Sequence, residues 1–183
     1  MKKMMLLLAS LVSLTACSQS KQATKESTSN QTTKETKVSE SSKDKEEKGL
    51  KFVVAPQYEG KTSDLIELGK KLVKEHPELG SEGNMALYFT GAISEGRAAL
   101  MLVNKTDVDI KKDLNFSISW SYDGKTIFDN QKVSYFIKDS GELPSHSATI
   151  ILLPLNEEQQ RIVDGMSDPS KMKLLMSDVN TVE

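Results

Sequence analysis

Few residues in this sequence are of a type that does chemistry, and they stand far apart. The one cysteine, Cys17, directly follows an apolar run near the start of the chain. The two histidines are His76, just before Pro77, and His146, within Ser145-His146-Ser147. A nucleophile relay from Ser145 or Ser147 through His146 needs a carboxylate and an oxyanion hole, and the neighbouring residues announce neither. No catalytic role is therefore expected of Ser145, Ser147, His146 or His76. Asp107-x-Asp109 followed by Asp113 has the start of a calcium loop. Lys111 stands where an oxygen ligand is needed and no glycine follows it, so a solvated turn is expected there. Zinc would need further ligands, and no second cysteine exists to supply one. Phosphate-cradling glycine loops and dinucleotide spacings are absent. Of the 8 methionines, Met85, Met101, Met166, Met172 and Met176 sit in apolar patterns, where packing is expected ahead of soft-metal capture. The sequence thus predicts no catalytic residue, no metal site and no cofactor.

Cys17 is the exception. Lys2 and Lys3 precede an apolar run from Met4 to Leu14. That run is shorter than the roughly 20 residues a membrane-spanning helix requires, which predicts a cleavable export signal over residues 1–16. Its end, Leu14-Thr15-Ala16-Cys17, resembles the lipobox of bacterial lipoproteins. The resemblance implies a diacylglycerol thioether on Cys17, cleavage between Ala16 and Cys17, and residence on the outer face of the cell membrane. Two acyl chains at about 0.8 kcal/mol per buried methylene hold firmly where one would be marginal. The released fragment would be a short apolar peptide of a type that some Gram-positive lipoproteins give rise to as pheromones, and these residues do not separate that role from a by-product.

After Cys17 the composition turns to Ser, Thr, Lys, Glu, Gln and Asn up to Lys48, with Ala23 and Val38 as the apolar side chains. Such a segment cannot bury enough surface to offset its ordering entropy, so residues 17–48 are expected to form a solvated tether. It would span on the order of 30 Å as a coil and about 100 Å extended. Residues 49–183 are then one extracellular domain, without a disulfide. Loss of Lys2 and Lys3 leaves 22 basic against 26 acidic residues, a net charge of about −4 on the mature chain. That balance argues against nucleic acid as a partner, because polyanion binding runs on clustered Lys and Arg.

The elements follow from periodicity. Leu50 to Val54 reads as a strand stopped by Pro56, and Leu65, Ile66, Leu68, Leu72 and Val73 recur at helical spacing between N-cap candidates Thr62, Ser63 and Asp64 and the stop at Pro77. From Met85 the period becomes two: Met85, Leu87 and Phe89, then Ala98 to Val103, then Phe116, Ile118, Trp120 and Tyr122. Asp123-Gly124 predicts a hairpin turn. Lys125 to Phe128, Val133 to Ile137 and Ala148 to Leu153 predict three more strands, and Asn156 with Gln159 a capped short helix. Met172, Leu174 and Met176 alternate as a closing strand does, although Lys171 to Ser177 would also pass as a helix. This order predicts a mainly β protein, an antiparallel β-sandwich with an N-terminal helix and a short C-terminal helix.

Two motifs carry a resemblance. Leu102-Val103-Asn104-Lys105-Thr106-Asp107, with Ile110 and Leu114 leading into Phe116, resembles the strand–turn–strand signature of immunoglobulin-like domains in exported Gram-positive proteins. Gly141 to Ala148, with Pro144, resembles the turn of the bacterial SLAP-type domain, and Ser145, Thr149 and Ile150 replace its second proline and Pro-Trp pair. The likeness implies an immunoglobulin-like fold at the cell surface. The expected function is a non-catalytic binding or accessory module for a protein or cell-wall partner. An exported enzyme or small-ligand carrier is the alternative, favoured by an enclosed pocket with converging polar groups.

Overall fold

The computed structural model describes residues 49 to 182; Ala16, Cys17, the signal and the tether lie outside the described residues. The chain runs β1 (Lys51–Phe52), a 3-10 turn (Pro56–Tyr58), α1 (Asp64–Glu75), β2 (Met85–Ser94), β3 (Arg97–Asn104), β4 (Leu114–Tyr122), β5 (Lys125–Tyr135), α2 (Ile137–Ser140), β6 (Ser147–Pro154), α3 (Glu157–Asp164), a second 3-10 turn (Pro169–Lys171) and β7 (Met172–Thr181). It is mainly β, with strands ordered β1-β6-β3-β2 in one sheet and β5-β4-β7 in the other. All pairings are antiparallel except that of β1 with β6.

The two sheets share one core. Leu87, Ala98, Leu100, Leu102 and Leu153 of the first sheet meet Leu114, Phe116, Ile118, Trp120, Phe128 and Tyr135 of the second. Trp120 lies at its centre, with ring centroids 5.0 Å from Phe89 and 6.0 Å from Phe128. A second cluster on the far side of the first sheet joins Val73 of α1 to Leu50, Met101, Val103 and Ala148. β3 is thus covered on both faces, which is why its residues from Ala98 to Val103 are apolar without alternation.

Local chemistry sets the joins. Ser63 caps α1 by accepting from the Ile66 amide at 3.3 Å. Asp123 and Gly124 both have positive φ, 48° and 79°, as the two-residue turn between β4 and β5 requires. Asn156 and Gln159 form a reciprocal capping box at the start of α3. Within α1, a Cβ on Gly69 would fall 2.2 Å from the Phe52 ring, so the missing side chain lets that ring lie directly on the helix.

Three elements differ from the sequence expectation or resolve it. The strands expected over 125–128 and 133–137 are one continuous β5, bent at Asn130 (φ 48°), because polar Gln131 and Lys132 stay paired with Ile118 and Ser117 while facing water. Ile137 opens α2 instead of ending a strand. Residues 172–181 are strand, the inward Met172, Leu174 and Met176 packing against the core.

Candidate functional site

β6 is eight residues long, but the strand beside it is two, and that mismatch leaves a concavity. β1 pairs with β6 only at Lys51↔Ser147 and Phe52↔Ala148. The Val53 amide still reaches the Ala148 carbonyl at 2.8 Å, and the Thr149 hydroxyl donates to the Val53 carbonyl at 3.0 Å. From there the chain leaves the sheet for Pro56, so among the described residues no strand pairs with β6 beyond Ala148 on this side. The gap is a groove of about 460 Å³. One wall is β6 from Thr149 to Leu153, and another is Val133 to Tyr135 of β5. The strap from Phe52 to Tyr58, with Ser63, Leu65 and Ile66 at the start of α1, crosses over it. Ser94, Glu95 and Arg97 close one end. Gly141, at φ 82°, lets the Pro56–Tyr58 turn of the strap approach: a Cβ there would meet Pro56 at 3.2 Å. Tyr135 marks the dry floor, its hydroxyl donating to the Gly141 carbonyl at 2.8 Å and burial pushing its pKa up to about 12.

The polar residues singled out from the sequence gather at the opposite end of β3 and β6. Asn104 is fully buried, and its amide nitrogen donates to the carbonyls of Val108 (2.9 Å), Leu143 (3.1 Å) and Pro144 (3.0 Å). Its oxygen accepts from the Thr106 amide and hydroxyl at 3.1 and 2.6 Å. Ile110 and Leu143 exchange a backbone pair beside it. The two motifs, 102–107 and 141–148, thus meet through one side chain.

The same end supplies the carboxylate that the sequence around His146 does not announce. His146 Nε2 stands 3.0 Å from Glu82, and Nδ1 stands 2.7 Å from Ser145 Oγ. The arrangement is a tie more than a relay, since the Ser145 hydroxyl donates to the Thr106 carbonyl at 2.6 Å. His146 itself sits at φ 54°. Hydrogen bonds from His146 and Lys105 hold the Glu82 carboxyl below its ordinary pKa. Ser147 donates to the Pro144 carbonyl at 2.6 Å, and His76 faces Glu78 at 3.1 Å near the end of α1.

The acidic run does not converge. Asp109 accepts from the Ser145 amide at 2.9 Å and pairs with Lys111, contacts that lower its pKa, whereas Asp113 turns away to accept from the Ile137 amide at 2.8 Å. Among the described residues no group of three or more His, Cys, Asp or Glu side chains is placed to hold a metal ion. No helix among them is long and apolar enough to cross a membrane.

Sequence reasoning did not find the groove. Its one sequence signal is Pro56, which stops β1 long before β6 ends at Pro154. Comparisons with family models, with curated proteins and with solved structures return no match to this chain.

Proposed function

We propose that this chain is a bacterial lipoprotein held to the outer face of the cell membrane by lipid on Cys17, and that residues 49–183 act there as a non-catalytic binding module. The observation that carries the binding reading is the groove beside β6, a half-apolar cleft next to a sheet edge. The export reading rests on Leu14-Thr15-Ala16-Cys17. An immunoglobulin-like fold is supported by the strand order: β2-β3-β6 facing β5-β4-β7 follows the order A-B-E facing C′-C-F, and the buried Trp120 falls on the strand corresponding to C. In that correspondence strand G has no counterpart among the described residues, and the place of D beside β6 is taken only by the two-residue, parallel β1.

A small-ligand carrier is the second reading, favoured by a groove volume within the range of small-molecule sites. Site-specific photo-crosslinking on intact cells tests the first. A crosslinker at Val54, inside the groove, is expected to give a discrete adduct of higher mass, and one at Lys111, on the far turn, is not. Adducts equal at both positions, or none at Val54, would remove the groove as the recognition site.

A further inference from the structure

We infer that the groove receives an extended polypeptide segment, which adds to β6 as a new strand in line with β1. This deepens the binding reading above and rests on it. The argument starts from the backbone. The amides of Lys51 and Val53 reach the carbonyls of His146 and Ala148, so the even-numbered residues of β6 turn their backbone groups toward this edge. The odd-numbered ones face β3. Ile150 and Leu152 therefore present their N–H and C=O groups to the groove, beyond the last residue that β1 covers. An aligned row of donors and acceptors at strand spacing is matched by another extended backbone. From Ile150 to Pro154 the edge runs about 13 Å, room for four or five residues.

Charges and bulges together separate this edge from the other free ones: β5 carries Lys125, Asp129 and Lys132, and β2, itself uncharged, is broken by a register shift between Phe89 and Ile93. Proteins guard exposed edges with charges and bulges. β7 carries both, Lys173 and the kink at Asp178 (φ 51°) with its register shift. β6 carries no charged residue from Ser147 to Pro154. It is shielded only by standing inside a cleft, between the strap and β5. The cleft also chooses the occupant. A cleft of about 460 Å³ is the size of a few residues and not of a sheet edge with its neighbouring strand, which selects a single extended segment over a second folded copy.

The test uses the full lipidated chain in detergent and a pool of random nine-residue peptides. Leu152→Pro removes one edge-facing N–H and leaves the β3 ladder intact, a position where an edge strand tolerates proline. Peptides enriched by the native chain are expected to bind Leu152→Pro at least tenfold more weakly. Methylation of alternate peptide amides is expected to weaken binding to the same degree, and bound peptide to slow hydrogen exchange at Ile150 and Leu152. The exchange and methylation arms decide the matter if Leu152→Pro does not fold. Peptides that bind native and proline chains alike, tolerate methylation and still displace the Val54 crosslink would overturn strand addition and keep the groove as the site. If no peptide is enriched over the proline chain and none displaces that crosslink, strand addition is wrong, and a Val54 adduct that an apolar fluorescent dye displaces would mark a small-ligand site instead.

Discussion

The side-chain amide of Asn104 donates to the carbonyl of Leu143, 39 residues further along the chain, at 3.1 Å. Asn104→Ala would leave three carbonyls and the Thr106 donors without this fully buried partner. The expected loss is about 3 kcal/mol in urea unfolding. Asn104→Asp is expected to fail as well, because a carboxylate accepts but cannot donate to carbonyls.

Trp120 is 1 % exposed, and its indole nitrogen has no hydrogen-bond partner among the described residues. Its contribution is therefore packing. Trp120→Ala is expected to cost about 3–5 kcal/mol, and Trp120→Phe much less, since no hydrogen bond is lost with the nitrogen. Thermal unfolding followed by circular dichroism measures both.

Tyr135 should ionise later than Tyr122. Its phenol is raised from 10.0 to about 12 by burial, whereas Tyr122 is lowered by the amides of Ser167 and Asp168, which donate to its oxygen. A raised folded pKa gives stability that is fully present below the unfolded value, so the fold should lose stability as pH climbs from about 10 to 12. Ultraviolet titration is expected to show a late step that vanishes in Tyr135→Phe. A single unresolved step would contradict the buried hydroxyl.

Much of the fold is legible in the sequence because period-two alternation reports directly on half-buried strands: Phe116, Ile118, Trp120 and Tyr122 are all buried as read. Asp123-Gly124 and the Asn156 capping box are equally local, and they sit where spacing puts them. The middle of β5 is not legible. Asp129 and Asn130 are turn-type residues, and the chain does bend at Asn130, but pairing of Gln131 and Lys132 with Ile118 and Ser117 carries the strand on. The groove is not legible either, since it arises from the unequal lengths of two strands whose paired residues, such as Phe52 and Ala148, are 96 positions apart in the chain. Glu82 beside His146 is a similar case, at a separation of 64 residues.

Gly69→Ala separates helix propensity from packing. Alanine favours the helix by about 1 kcal/mol, but its Cβ would displace the Phe52 ring, an overpacking cost of about 1–3 kcal/mol. The expected net effect is a small loss of stability with faster hydrogen exchange in the strap. A gain in melting temperature would show that Phe52 moves aside freely.

Cys17→Ala tests the anchor. No other cysteine exists to form a thioether, so the variant is expected to leave the membrane fraction in high-salt washes. Retention with a normal maturation pattern would end the lipoprotein reading.

The two-residue β1 also has a mechanical meaning. If the domain hangs from lipid at Cys17, tension enters it at Gly49 and meets β1 first. Two paired residues in parallel register, the Phe52 ring on Gly69 and the Thr149 tie to Val53 are what resist a pull there. The strap over the groove begins at those same residues, so a load that began to peel the chain would reshape the groove while the two-sheet core was still intact. Grip on a partner and stretch of the anchor would then be mechanically linked, with the strap as the element that yields.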